Sequence, residues 1–216
     1  MSRPLWTVVP MRGIERGKSR LIPALDDAER AFLNRWLLVR TLTVIRHAQA
    51  TLRRCVVVSP CERTLELARL EGAGIVREPR EATDLNHAAA LGATCAAESG
   101  ATRIMVIACD LPDLDRESLQ VFTAAGMDAG SMVLAPDKHG SGTNALIVDA
   151  RCHGEFRFGE GSFMKHQEWA ATRGWSVSVV ARPALAFDLD TPEDLAAWSG
   201  RTRDTPLCTG RCSRTD

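Results

Sequence analysis

Short, almost unbroken apolar runs at residues 5–9, 54–58, 103–108, 131–135, 145–148 and 176–180 constrain this chain more than any other feature. Each has strand length, and runs with so little polar interruption suit strands covered on both faces, as in a mainly parallel sheet. Helical patterns separate them. Residues 27–48 carry Leu33, Leu37, Val44 and Ala48 on one stripe. Ser59-Pro60-Cys61-Glu62 offers an N-cap serine, a proline at the first helical position and a glutamate three residues on. Thr191-Pro192-Glu193-Asp194 repeats that arrangement, and Asp84 is placed to cap a helix running to about residue 98. With neither an internal repeat nor a low-complexity linker, the alternation predicts one α/β domain over residues 1–200. Its mostly parallel, mixed sheet lies between helical layers. Residues 201–216 are polar and patternless and are expected to form a disordered tail.

Bulk composition removes several function classes. Lys+Arg 27 against Asp+Glu 27 leaves no net charge, so no whole-molecule field draws in nucleic acid or an anionic membrane. There is no apolar run of about 18 residues and no signal-peptide core, so a cytoplasmic protein is expected. The odd count of 7 cysteines argues against a disulfide framework. Cys55, Cys61, Cys95 and Cys109 sit among apolar segments as small buried hydrophobes. Cys208 and Cys212 lie in the tail without neighbours to complete a four-ligand metal site.

Positive charge is local instead. Residues 10–21, directly after the first apolar run, carry Arg12, Arg16, Lys18 and Arg20 on a glycine-punctuated loop. In open α/β sheets ligands bind in the crevice outside the strands' carboxyl ends, where Arg forks and a Lys point charge suit phosphate oxygens. A solvated loop with ordinary surface cations is the other reading of this segment alone. Asp110 follows the 103–108 run, while Asp188 and Asp190 alternate around Leu189. Residues two apart in an extended segment point the same way, so both carboxylates are expected to face one site. Two charges about 4 Å apart repel by about 4 kcal/mol at an effective dielectric near 20, so crowded carboxylates call for a cation. Mg²⁺ takes a few carboxylates together with phosphate oxygens. Singly, Asp110 also reads as a turn residue and Asp190 as a helix-end partner. Jointly with the basic loop, the three aspartates predict a nucleoside-triphosphate site holding Mg²⁺.

Gly140-Ser141-Gly142-Thr143-Asn144 and Phe158-Gly159-Glu160-Gly161-Ser162 permit backbone N–H groups to converge on an anion. Ser162 is expected to cap a helix containing Lys165 and His166, whose N-terminus attracts phosphate or carboxylate. His139 and His166 adjoin these loops. His47 and His87 fall in helical patterns, and His153 falls in a turn-like stretch. A nucleotide and a small phosphorylated acid would fill such sites. A phosphate monoester is already ionised near neutral pH, so it can itself be the nucleophile and no Ser/His/Asp arrangement is required.

Several segments, in order, match a known family. They are Val9-Pro10 with Lys18-Ser19-Arg20-Leu21, Leu85-Asn86-His87-Ala88, Asp110-Leu111-Pro112 and Gly142-Thr143-Asn144-Ala145-Leu146. Phe158-Gly159 with Gly161-Ser162 and His166, and Asp188-Leu189-Asp190-Thr191-Pro192-Glu193-Asp194-Leu195, complete the set. The chain resembles the 2-phospho-lactate guanylyltransferase family of deazaflavin coenzyme F-420 biosynthesis, related to molybdenum-cofactor and sugar nucleotidyltransferases. The resemblance implies a Rossmann-like nucleotidyltransferase fold and transfer of GMP from GTP with release of pyrophosphate. The implied acceptor is 2-phospho-L-lactate, phosphoenolpyruvate or 3-phospho-D-glycerate, and a downstream deazaflavin-transferring enzyme is an implied partner. Carried over, Thr143, Gly159 and Ser162 hold the acceptor, and Asp110, Asp188 and Asp190 hold Mg²⁺. Lys18 and Arg20 contact the triphosphate, with Asp110 as the third catalytic residue, and Arg12, Glu78 and Asn86 are further nucleotide contacts. Arg12 stands where the family often has Lys, so a fork replaces a point charge. A nucleotidyltransferase for molybdopterin or a sugar phosphate, and a non-catalytic GTP-binding subunit, are the rival readings. A polar His139 near the acceptor would favour the extra hydroxyl of 3-phospho-D-glycerate.

Overall fold

The computed structural model describes residues 4–79, 84–125 and 130–200. The tail at 201–216, with Cys208 and Cys212, lies outside the described residues. A mixed 7-stranded sheet comprises β1 (Leu5–Pro10), β2 (Cys55–Ser59), β3 (Gly74–Arg77), β4 (Arg103–Ile107), β5 (Ser131–Pro136), β6 (Thr143–Asp149) and β7 (Ser176–Val179). Its order is β3-β2-β1-β4-β6-β5-β7. β1 pairs in parallel with β2 and β4, β2 with β3, and β5 with β7. Only β6 runs against its neighbours β4 and β5. The strand order reverses at β1, so the carboxyl ends of β1 and β4 open a crevice at a topological switch point.

Helices α1 (Asp27–Gln49), α2 (Glu62–Leu70), α3 (Leu85–Glu98), α4 (Arg116–Ala124), α5 (Ser162–Thr172), α6 (Pro183–Ala186) and α7 (Pro192–Ser199) cover the sheet. The continuous apolarity of the strands follows from this two-sided cover. In β4, Met105 and Ile107 join a cluster with Leu42 of α1, Ala68 of α2 and Phe122 of α4, while Ile104 and Val106 join Ala93 of α3 and Ala170 of α5. A third cluster joins Leu21 and Leu25 from the loop before α1 to Leu33, Leu37, Leu189 and Trp198. No helix among the described residues is long and apolar enough to cross a membrane.

Helix starts differ in detail from the expectation. Asp84 caps α3, accepting from Asn86 N, and Thr191 with Asp194 forms a full capping box on α7. Ser59, however, ends β2, and Cys61 takes the cap position of α2. Ser59 Oγ still accepts from Cys61 N at 3.1 Å, so its hydroxyl shapes the turn rather than the helix. Likewise Gly161, in the left-handed region (φ 65) that glycine adopts without strain, takes the cap position of α5, and Ser162 is the first helical residue. The edge strand β3 has no counterpart among the expected strands, since Gly-Ile-Val-Arg is short and exposed at both ends.

The close seat of α3 depends on small residues. A Cβ added at Gly92 would lie 2.4 Å from Val8 Cγ1 and 2.8 Å from Val58 Cγ2, both branched side chains in the core. Helix propensity alone favours alanine there by about 1 kcal/mol, but overpacking costs about 1–3 kcal/mol. Gly92→Ala should therefore lower the urea midpoint. An unchanged or raised midpoint would contradict this packing of α3 on β1 and β2.

Candidate active site

The basic loop leaves β1 through Met11, whose N–H donates to Val58 O at 2.9 Å. It is then wound onto α1 and α2. Ile14 N donates to Thr64 Oγ1 (3.1 Å), and Asn34 Nδ2 donates to Ile14 O (2.9 Å). A Cβ at Gly17 would meet Asn34 Nδ2 at 2.8 Å and the Gly13 carbonyl oxygen at 2.9 Å, so a side chain there would push the loop off the helix or open its own turn. Lys18 follows in the left-handed region (φ 59), a conformation that costs a non-glycine residue about 1–2 kcal/mol. A 3-10 turn over Ser19–Leu21 comes next and buries Leu21 in the third cluster.

This geometry aims Lys18 inward. Its Nζ lies 2.7 Å from Asp110 Oδ2 and 2.7 Å from Asp190 Oδ1, with only 8% of the side chain exposed. Arg20 stands 3.7 Å from Asp190 Oδ2. Burial alone would lower the Lys18 pKa, but the charges and hydrogen bonds of the two aspartates hold it above its ordinary value. Burial likewise opposes ionisation of Asp190, and Lys18 with Arg20 outweighs it, keeping that carboxyl below the usual range. Above this ion cluster opens a cavity of about 540 Å³, lined among others by Arg12, Lys18, Arg20, Asp110, Thr143 and Asp190.

Asp188 and Asp190 flank buried Leu189, whose N–H donates to Asp110 O at 3.0 Å. Burial first, and then the charge of Asp110, push the Asp188 carboxyl above its ordinary pKa, with Lys138 partly offsetting them. Among the described residues no three His, Cys, Asp or Glu side chains are already gathered as a metal-holding group. Yet Asp110 Oδ1 and Asp188 Oδ1 are both buried without a hydrogen-bond partner. Two carboxylate oxygens without hydrogen bonds, on groups near enough for the charge of Asp110 to act on Asp188, fit a hard divalent cation, which takes oxygen ligands.

The second glycine-rich loop is held from several sides. Asn86 Oδ1 accepts from Phe158 N (2.6 Å) and its Nδ2 donates to Phe158 O (3.1 Å), so this side chain is engaged with the loop's backbone. Gly159 has φ 116, and Phe163 N donates to Ser141 O, joining the two glycine-rich segments. Ser162 is buried. His166 is fully buried behind them; its Nε2 accepts from Arg157 N (3.2 Å), which leaves Nδ1 as the donor to Thr143 Oγ1 (3.1 Å). Thr143 and Phe158 reach the cavity wall. Glu78 lies just past β3, buried, with Oε1 unpartnered and its carboxyl pushed up by burial against the opposing charges of His87 and Arg12. His139 is exposed on the turn between β5 and β6 and does not line the cavity, which removes the argument that tied it to the acceptor. Cys55 and Cys109 are buried thiols pushed up to about 12, as expected of core cysteines.

Several groups at the site carried no readable signal. Asn34 sits mid-helix in α1, and Lys138 in a polar turn. Asp194 stands in the sequence as part of a helix start and of the matched 188–195 segment, and in the structure it also accepts from Asp190 N at 3.0 Å.

Comparison with known proteins gives a consistent result. Residues 5–199 match the family described as Guanylyl transferase CofC like. The chain is 40% identical over 192 residues to a phosphoenolpyruvate guanylyltransferase of Rubrobacter xylanophilus, covering 89% of this chain and 92% of the relative. It is 36% identical over 189 residues to a 3-phospho-D-glycerate guanylyltransferase of Phenylobacterium zucineum, covering 87% and 86%. In fold it is similar to a nucleotidyl transferase from Methanothermobacter, with TM-score 0.65 at 15% identity over 91% of this chain and 96% of that one.

His166 makes the site sensitive to acid. Burial first, and then the positive charge of Arg157, lower its pKa from 6.5 to about 4. Between those values the unfolded chain binds a proton that the folded chain refuses. Stability therefore falls as pH drops from 6.5 to about 4, by at most about 3 kcal/mol. Urea unfolding at a series of pH values should show this loss in the wild type. His166→Gln, which keeps one donor and one acceptor, should lack it, and an identical acid dependence in the variant would remove the assignment.

Proposed function

The chain belongs to the CofC-like guanylyl transferase family, and from that premise we propose that it transfers GMP from GTP to a small phosphorylated acid, releasing pyrophosphate. The carrying observation is the Lys18 ammonium joined to Asp110 and Asp190 where β1 and β4 open, with Thr143 on the same cavity wall. Phosphoenolpyruvate, 3-phospho-D-glycerate and 2-phospho-L-lactate are the acceptors to consider. The 40% identity to a relative named for phosphoenolpyruvate makes that acid the first to test. The product would be a mixed diphosphate joining the acid to guanosine, as coenzyme F-420 biosynthesis requires and as a deazaflavin-transferring enzyme would consume.

In this reading an ionised oxygen of the acceptor phosphate attacks the α-phosphorus of GTP in line with the bond to the bridging oxygen. That bond breaks and its electron pair leaves with pyrophosphate, so no general base is needed. Arg12, Lys18 and Arg20 meet the triphosphate and the negative charge that builds on the leaving group. Asp110, Asp188 and Asp190 would hold Mg²⁺, which when bound acts as a Lewis acid and neutralises phosphate charge. Thr143, Gly159 and Ser162 receive the acceptor, the Thr143 hydroxyl being oriented by His166 and the loop by Asn86. The N-terminus of α5 adds its dipole to this anion site. Glu78 remains a candidate nucleotide contact through its unpartnered oxygen.

Incubation with GTP and all three acids in competition, read by mass spectrometry, should yield one dominant guanylylated acid and pyrophosphate. GTP binding without any such product would overturn the reading. Asp110→Asn should lower turnover by about 100-fold with the circular dichroism spectrum unchanged; near-normal turnover would take Asp110 out of the machinery. Ser162→Ala should raise the acceptor KM more than the GTP KM, and equal effects on both would count against its role.

A further inference from the structure

Lys138 is a cation to which the proposed chemistry gives no task, although it reaches the acidic segment from the turn between β5 and β6. Its Nζ donates to Asp188 O at 3.0 Å and to Asp194 Oδ1 at 2.5 Å, stands 3.7 Å from Asp188 Oδ1 and lies 5.1 Å from the Phe187 ring centroid. The other Asp194 oxygen accepts from Asp190 N (3.0 Å) and Thr191 N (2.9 Å). Lys138 and Asp194 thus grip the backbone on both sides of Leu189, one at the Asp188 carbonyl and one at the Asp190 amide. Further back, Asn144 Nδ2 donates to Leu185 O and Ala186 O, both at 3.0 Å. The same β5–β6 connection that delivers Thr143 to the cavity therefore also fixes the acidic segment.

We propose that Lys138, acting through Asp194 and the backbone of Asp188–Asp190, is a positioning residue for guanylyl transfer. It holds both carboxylates turned toward Asp110 and ties them to the turn that carries the acceptor loop. The need for such a grip is electrostatic. Asp110, Asp188 and Asp190 repel one another, and Lys18 makes contact with only two of them. Leu189 anchors the segment on the apolar side, but a buried leucine does not fix the rotation of the peptide groups that flank it. Two hydrogen bonds to those peptide groups do. In-line transfer loses about 100-fold for misplacements near 1 Å, so a modest rotation here would reach turnover.

The inference rests on the proposed reaction, and its test uses the full chain with GTP and the preferred acid. Lys138→Met should lower kcat by about 10–100-fold while both KM values stay within about threefold. Asp194→Asn should do the same, and the double variant should be no slower than the slower single variant, because both act through one unit. Lys138→Arg, which can still bridge a carboxylate and a carbonyl, should recover most of kcat. A near-normal kcat in Lys138→Met with only a lowered melting temperature would overturn the inference, since that is a structural clamp alone. Losses that multiply in the double variant, or a raised GTP KM as the main effect, would also overturn it; the latter would mark a direct phosphate contact. Should Lys138→Met not fold, Asp194→Asn and Lys138→Arg carry the same comparison. Failure of the wild type to form any guanylylated acid sinks the reaction itself, whereas product from the wild type with unchanged variants sinks only this role of Lys138.

Discussion

A buried ammonium shared by two carboxylates organises this molecule. Lys18 is separated from Asp110 by 92 residues and from Asp190 by 172, and it meets both at 2.7 Å. Taking such charges out of water is expensive, and the cost is offset only where geometry is good and the remaining polar atoms find partners. Here the offset is incomplete, because among the described residues Asp110 Oδ1 and Asp188 Oδ1 are buried without a hydrogen bond, and Asp188 Oδ1 has only the Lys138 ammonium at 3.7 Å. The arrangement is poorly explained as a stability device. The proposed reaction gives those acceptors a role in holding a cation.

Apolar packing makes that meeting possible. Leu21, just after the cationic loop, and Leu189, between the two acids, belong to one cluster with Leu33, Leu37 and Trp198. Each charged segment is thus anchored on its dry side while its charges face the crevice. The left-handed Lys18, the Asn34 clamp on Ile14 and the glycine at position 17 supply the remaining constraint on the loop. A chain with no net charge in this way gathers cations and carboxylates together at the switch point of its sheet.

Around the two glycine-rich segments the same logic runs through neutral groups. His166 is held uncharged by burial and keeps one tautomer, because Arg157 N–H claims Nε2 and leaves Nδ1–H for Thr143. Asn86 fixes both polar atoms of the Phe158 peptide. A small anion would therefore meet preformed partners rather than a loop that must order itself, which lowers the entropic cost of binding.

Much of this could be read from the chain directly. Strand positions, the α3 and α7 starts, the basic loop and the acids that flank Leu189 follow from period, apolarity and local chemistry, all of which are short-range. The edge strand β3 is not legible, because its two half-buried and two exposed residues carry no such pattern. Ser59 and Ser162 are not the caps their residue type suggests, because cap choice depends on backbone angles that a serine does not dictate. Lys138 and Asn34 were silent, since their partners lie on elements distant in sequence. What the sequence determined by itself is which residues must be buried and which charges must find company, because hydrophobicity and charge belong to each side chain. Which charge meets which was decided by the tertiary structure alone, because a contact between Lys18 and Asp190 exists only once the sheet order and the third apolar cluster have brought the two ends of the chain together.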